Sequence, residues 1–233
     1  MKKLLVALVL SFTTILFSFA GDAAAFSDIG FSSDGRTYIF GEYGKIDKKF
    51  QAWAEIYTVD IAKNEYVPNE VFITKPSKAT ASISGKKAYD DLKAKSDSSI
   101  RKYNCTPYNI ANLLYVKEGS SVTNDIRFQD FDASSEDKEI FYHIKLVPTY
   151  KGSGKNVTSK YYISMQMEDG DGKVMKSWKL GNPDYERKGI SSYQIERIFT
   201  DKTKSALVLV IQKTLEDDSG TSIRYMVETL KLK

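Results

Sequence analysis

The segment that most constrains the fold is QAWAEIYTVDI, residues Gln51 to Ile61, because it carries apolar side chains on both of its faces. Its aromatic and β-branched residues are typical of a β-strand. The two alternating sets are Trp53, Tyr57, Val59 and Ile61 on one face and Ala52, Ala54, Ile56 and Thr58 on the other. Because neither set is strongly polar, we expect this strand to lie between two layers.

Similar runs, separated by clusters of Gly, Asp, Ser and Asn, occur along most of the chain. Such clusters favour turns, so the runs predict an antiparallel, mainly β architecture. The other predicted strands are 26–31, 37–43, 66–74, 126–131, 139–150, 160–168, 174–180, 193–199, 205–215 and 222–231.

One region has a helical pattern instead. Ser84 is a capping residue before an apolar stripe at helical spacing that runs to Tyr103, and Thr106-Pro107 is a second start signal for a helix to Leu114. We therefore expect a mainly β (α+β) fold, with antiparallel sandwich or barrel-like sheets and a short helical pair inserted around residues 86–114.

The hairpin sequence FSSDGR, Phe31 to Arg36, is similar to turns found in each blade of some secreted β-propellers. A weaker echo, FTDKTK, begins at Phe199, within a segment that loosely repeats residues 26–61. Two copies that flank a helical insert fall short of the roughly four to eight blades that close a propeller. A full β-propeller is therefore disfavoured, and Asp34-Gly35 is interpreted as a hairpin turn.

The N-terminus indicates export. Lys2 and Lys3 precede an apolar run to Ala20, followed by small residues, which is the pattern of a secretory signal peptide. We predict a signal peptide over residues 1–20, with cleavage as late as residue 25, and a single β-rich domain over 21–233. An uncleaved membrane anchor is the alternative. No later run is long enough to span a membrane.

Charge argues against a nucleic-acid partner. The formal net charge of +4 falls to +2 when the two lysines of the leader are removed. Acidic and basic residues alternate without a basic stripe, which nucleic-acid binding requires.

The sequence contains few residues suited to catalysis or metal binding. Cys105 is the only cysteine, so an intramolecular disulfide cannot form. His143 is the only histidine, so histidine-dependent catalytic triads and common zinc sites are disfavoured. The segment Asp169 to Lys173 has the start of a calcium loop, but Lys173 stands where an oxygen ligand is needed. No cofactor, metal site or catalytic residue is predicted, and the four acidic strand residues Glu42, Glu55, Asp60 and Glu196 show no distinctive spacing.

Aromatic residues are the best candidates for binding, since exposed tyrosine and tryptophan form platforms for sugars, peptides or proteins. Most are expected in the core. The candidates named from the sequence are Tyr43, Trp53, Trp178 and Tyr185, of which Tyr43 and Tyr185 stand near turns and are expected to be exposed.

Residues 26–67 resemble the start of a bacterial family of predicted secreted proteins. The resemblance is carried by Gly30-Phe31-Ser32, Asp34-Gly35-Arg36, Phe40-Gly41, Tyr43-Gly44 and Ala54-Glu55-Ile56-Tyr57, with a further similarity at Arg224 to Glu228. The family implies export and a β-rich domain, and it supplies no activity, ligand or catalytic residue.

Taken together, these patterns predict an exported, soluble protein of a bacterial envelope, secreted or periplasmic, that is a non-enzymatic binding module for an envelope protein or a glycan. A hydrolase that uses acidic residues on glycans or peptides is one alternative. A membrane-anchored structural or assembly factor is another. Facing carboxylates in a cleft would favour the hydrolase, and an exposed aromatic surface would favour the binding module.

Overall fold

The computed structural model describes residues 22–46, 48–119 and 124–232, and in these residues most of the chain forms three largely antiparallel sheets. The strands are β1 (Asp22–Ala23), β2 (Ala25–Phe31), β3 (Thr37–Ile46), β4 (Gln51–Asp60), β5 (Glu65–Thr74), β6 (Leu113–Val116), β7 (Asp125–Gln129), β8 (Ile140–Lys151), β9 (Thr158–Asp169), β10 (Val174–Leu180), β11 (Arg187–Lys188), β12 (Ile190–Thr200), β13 (Ala206–Asp217) and β14 (Gly220–Lys231). The helices are α1 (Gly85–Lys95) and α2 (Asp97–Arg101). The predicted signal peptide lies outside the described residues.

The three sheets form successive layers. The N-terminal sheet has the order β2-β3-β4-β5, the central sheet β1-β14-β13-β12-β6, and the outer sheet β10-β9-β8-β7 with β11 on β9. Strand β13 shows why the central sheet lies between the others: Leu207 and Leu209 pack with the outer sheet, while Val208 and Val210 pack with the N-terminal sheet. The mainly β fold with antiparallel sheets that the sequence predicts is confirmed.

Strand β4 is covered on both faces, as its composition predicts. Val59 packs in the cluster shared with the central sheet, whereas Ile56 packs against helix α1 through Tyr89 and Leu92. Helix α1 begins after Ser84, whose hydroxyl accepts a hydrogen bond from the Lys87 backbone N–H at 3.1 Å.

The prediction of a second helix from Thr106 to Leu114 is wrong. The backbone of Thr106 instead exchanges two hydrogen bonds with Phe31, at 3.0 and 2.9 Å. Gly30 permits this approach, because a Cβ there would lie 2.1 Å from the Thr106 carbonyl. Asn109 caps only a single 3₁₀ turn, Ile110–Asn112, which leads into β6. The helical pair consists of α1 and α2, which end at Arg101.

The hairpin turn at Asp34-Gly35 has the predicted chemistry. Gly35 has a φ of +67°, and the Asp34 carboxylate accepts hydrogen bonds from the Ser32 hydroxyl and the Arg36 backbone N–H. Asp169 to Lys173 likewise forms the turn between β9 and β10, with the Asp169 carboxylate accepting from the Lys173 backbone N–H at 2.8 Å. In the described part of the chain, no helix has the length and apolar character needed to cross a membrane.

Candidate functional site

A cleft of ≈ 720 Å³ opens beside β14 at the edge of the central sheet. We call it the tyrosine cleft. Its walls come from the β4–β5 hairpin of the N-terminal sheet and from the segment 185–190, which leads into β12. The residues that carry its chemistry are Tyr57, Tyr66, Tyr185, Arg187, Lys213 and Glu228.

The first wall is a stack of tyrosine rings. Tyr57 lies between Phe40 and Tyr66, with ring centroids 4.9 Å apart on each side. Burial raises the pKa of both tyrosine hydroxyls above the ordinary range, so both stay neutral at physiological pH. The Tyr57 hydroxyl donates a hydrogen bond to the Glu55 carboxylate, which fixes the inner ring. Tyr66 is 43 % exposed and offers part of its surface to a ligand.

The second wall combines aromatic rings with a guanidinium. The Arg187 guanidinium carbon lies 4.6 Å from the ring centre of Tyr161 and 4.7 Å from that of Tyr185. These cation–π contacts, together with a hydrogen bond from the guanidinium to the Tyr185 carbonyl at 3.4 Å, hold the group in place. Tyr185 is 58 % exposed and forms the rim of this wall.

Two cations converge on the cleft without a direct counter-ion. Among the residues that the structure describes, neither Arg187 nor Lys213 has a carboxylate oxygen within the 4.0 Å of a salt bridge. Burial lowers the pKa of Lys213, because it disfavours the ammonium charge, and the more distant Glu42 and Glu55 carboxylates act in the opposite direction. An anion bound in the cleft could therefore form ion pairs with both Arg187 and Lys213.

Glu228 fixes the inner end of the cleft. Its carboxylate accepts hydrogen bonds from the Tyr161 hydroxyl and from the Asn64 side-chain amide, so it links the outer sheet, β14 and the β4–β5 turn. Burial raises its pKa, while these two hydrogen bonds oppose that shift. The Asn64 side-chain oxygen also accepts from the Thr229 backbone N–H at 2.6 Å.

Two carboxyl groups, one buried and one half-buried, lie near Lys213 but outside the lining of the cleft. Glu42 and Glu55 are directly opposite each other on β3 and β4. Glu42 is 1 % exposed and accepts a hydrogen bond from the Tyr225 backbone N–H at 2.7 Å. Burial raises its pKa to about 7, with Glu55 adding to the shift. The remaining acidic residues named from the sequence are engaged elsewhere: Asp60 accepts from the Lys63 backbone N–H, and Glu196 pairs with Arg197.

The four binding candidates named from the sequence do not form one surface. Only Tyr185 lines the tyrosine cleft. Tyr43 is partly buried and stacks on Tyr89 of α1 at 5.0 Å, so its expected exposure is only partial. Trp53 is buried and donates to Asp22 at 2.9 Å, and Trp178 packs against the core beneath the outer sheet.

Sequence reasoning missed Tyr66, Arg187, Lys213 and Glu228. The available signal was the YER triplet at residues 185–187, which places an arginine beside an exposed tyrosine in a turn-rich segment. The other three lie on strands, where their local pattern is that of ordinary strand residues.

His143 and Cys105 both lie outside the tyrosine cleft. His143 is held between the Asp125 and Glu168 carboxylates, at 2.7 and 3.1 Å, on the outer sheet. Cys105 is half-buried, and burial raises the pKa of its thiol to about 12. Within the described part of the chain, no cluster of three or more His, Cys, Asp or Glu residues is arranged to hold a metal ion.

Comparison with protein families identifies the chain. Residues 39–231 match the family described as "Predicted secreted protein (DUF2259)". The match extends the expected resemblance through the middle of the chain and the closing segment at Arg224 to Glu228, although it begins after residues 26–38. No curated protein and no solved structure matches the chain significantly. The chain therefore belongs to this family of predicted secreted proteins.

Proposed function

We propose that this protein is a non-enzymatic binding module of the bacterial envelope that holds an anionic ligand in the tyrosine cleft. Membership of a family of predicted secreted proteins supports an extracytoplasmic role. Release into the periplasm after removal of residues 1–20 is part of the proposal. Cell fractionation with N-terminal sequencing separates the released form from an anchored one.

The observation that carries the proposal is the pair Arg187 and Lys213. Removing a cation from water costs free energy unless an anion or hydrogen-bond acceptor replaces the lost solvent. Lys213 is partly buried, and neither cation has a salt-bridge partner among the described residues. A bound carboxylate, sulfate or phosphate group would supply the missing partner, and the flanking tyrosines would exclude water from it.

Isothermal titration calorimetry of the exported protein tests the proposal, with polygalacturonate and dextran sulfate as anionic probes and dextran as a neutral one. We expect at least one anionic probe to bind. The double variant Arg187→Ala/Lys213→Met should lose that binding, since each charge-assisted contact contributes about 1.5–3 kcal/mol.

The matched control is Arg101→Ala. Arg101 lies on α2 and is 80 % exposed, so its removal should leave affinity unchanged. Equal affinity of the double variant and the native protein for every anionic probe would refute the assignment of the cleft.

A hydrolase is the second candidate, and one observation favours it: the pKa of Glu42 is raised to about 7, a value suited to a general acid, and Glu55 lies opposite. However, Glu42 is 1 % exposed and does not line the tyrosine cleft. We therefore expect no release of reducing ends from polygalacturonate or dextran. Turnover that is abolished in Glu42→Gln would establish the hydrolase instead.

A further inference from the structure

We propose that the ligand of the tyrosine cleft is an acidic saccharide with one carboxylate on a sugar ring, as in a uronic-acid glycan. This inference rests on the proposed binding function and adds the chemical class of the ligand. It is drawn from the charge balance of the cleft, the orientation of Arg187 and the placement of the tyrosines.

The charge balance excludes a densely charged ligand. The charged residues that line the cleft are Arg187, Lys188 and Lys213 on the basic side, and Glu65, Glu186 and Glu228 on the acidic side. Three charges of each sign cancel, so a chain of sulfates or phosphates would meet as much repulsion as attraction. A ligand with one anionic group on a sugar ring and several neutral hydroxyls can place that charge on the cations and its hydroxyls on the acidic rim.

The orientation of Arg187 selects the shape of the anionic group. The rings of Tyr161 and Tyr185 lie 4.6 and 4.7 Å from the guanidinium carbon, and one N–H of the group donates to the Tyr185 carbonyl at 3.4 Å. The other N–H groups point outward in the plane of the guanidinium. A planar carboxylate matches this fork with two parallel hydrogen bonds. Lys213 supplies a second positive charge in the lining of the same cleft.

The tyrosines suit a sugar ring beside that carboxylate. Tyr66 and Tyr185 stand on the two opposite walls, and each is roughly half exposed, at 43 % and 58 %. Aromatic faces of this kind pack against the C–H faces of a ring while their hydroxyls reach neighbouring polar groups. A volume of ≈ 720 Å³ lies within the usual range for small-ligand clefts, about 300–1,000 Å³, and accommodates one or two sugar rings.

The test compares four disaccharides by isothermal titration calorimetry with the exported protein: digalacturonate, its dimethyl ester, galactobiose and a sulfated galactobiose. We expect digalacturonate to bind best. The ester and the neutral sugar should bind at least ~10-fold more weakly, because they lack the ionised carboxylate. The sulfated sugar should also bind more weakly than digalacturonate.

Variants separate recognition of the ring from recognition of charge. Arg187→Lys keeps the charge but removes the planar fork, and we expect a loss of ~10-fold or more for digalacturonate. Tyr66→Leu and Tyr185→Leu should weaken digalacturonate while leaving simple acetate binding unchanged. Arg101→Ala is again the control, and circular dichroism checks that every variant is folded.

The outcomes distinguish this inference from the proposed function. If the sulfated sugar binds as tightly as digalacturonate, the assignment of a carboxylate is wrong. If the tyrosine variants bind normally, the assignment of a saccharide is wrong. In both cases an anion-binding cleft stands, provided that binding still requires Arg187 and Lys213. If none of the acidic probes binds, both proposals fail. If the neutral sugar binds equally well, the carboxylate has no part in recognition and the inference is overturned.

Discussion

Removal of the Asp22 carboxylate is expected to destabilise the fold strongly, because this side chain joins the N-terminal sheet to the central sheet. Asp22 pairs with Arg224 at 2.7 Å, and the two side chains are only 6 % and 15 % exposed. The same carboxylate accepts from the Trp53 indole N–H at 2.9 Å and from the Lys45 backbone N–H at 3.2 Å. The Arg224 guanidinium also lies 4.0 Å from the Trp53 ring centre.

The magnitude follows from burial. Deleting one partner of a buried, hydrogen-bonded ion pair leaves an uncompensated charge and typically costs about 3–5 kcal/mol. Asp22→Ala would leave Arg224 unpaired and the Trp53 indole without its acceptor. For a domain of this size each kcal/mol lowers the melting temperature by roughly 2–4 °C, so we expect a decrease of roughly 6–20 °C.

Urea unfolding of the protein, followed by tryptophan fluorescence, measures this effect, since Trp53 reports directly on the site. The double variant Asp22→Ala/Arg224→Met should recover part of the lost stability, because it removes the unpaired charge. Asp218→Ala, which breaks the exposed pair with Lys155, should leave the unfolding midpoint unchanged. If Asp22→Ala shifts the midpoint no more than Asp218→Ala, the structural role assigned to Asp22 is wrong.

Four further outcomes follow from individual residues. Because Asp22 is part of the fold, any cleavage near the N-terminus should leave it in the chain, and a mature N-terminal sequence that starts after this residue would contradict the contacts above. Burial raises the pKa of Glu42 from 4.5 to about 7, so stability should fall as pH rises through that window, by about 3 kcal/mol. Glu42→Gln should abolish this pH dependence in urea titrations, and an unchanged dependence would assign it to another group. Because burial raises the pKa of Cys105 to about 12, iodoacetamide should modify it at pH 8 only after unfolding, and rapid labelling of the folded protein would disprove this. Gly30→Ala should prevent folding, since its Cβ would lie 2.1 Å from the Thr106 carbonyl, and a soluble variant with native circular dichroism would show that this approach is dispensable.

The local pattern predicted most strands because alternation of side chains is a property of the strand itself. Residues 174–180 were expected as a strand and form β10, and 37–43 forms the first part of β3. The apolar run within 205–215 occupies the middle of the central sheet, where Leu207 and Val208 point to opposite layers. In these segments composition and burial agree.

The pattern failed where a distant partner decided the conformation. Thr106-Pro107 carries a local helix-start signal, but the Thr106 backbone pairs with Phe31 from β2. The short strand β6 exists because it pairs with the edge of β12, and nothing within its four residues distinguishes it from the end of a helix. Tertiary hydrogen bonds outweighed a weak local preference in both cases.

The sequence by itself predicted an export signal, and it determined that the chain forms antiparallel strands with a helical insert, because turn residues and the alternation of side chains act over short distances along the chain. Only the tertiary structure decided that Trp53 is buried and donates a hydrogen bond to Asp22, and that Tyr66, Arg187, Lys213 and Glu228 line one cleft. Those four residues are brought together by the stacking of sheets from distant parts of the chain, and no local spacing encodes which faces meet when the layers pack.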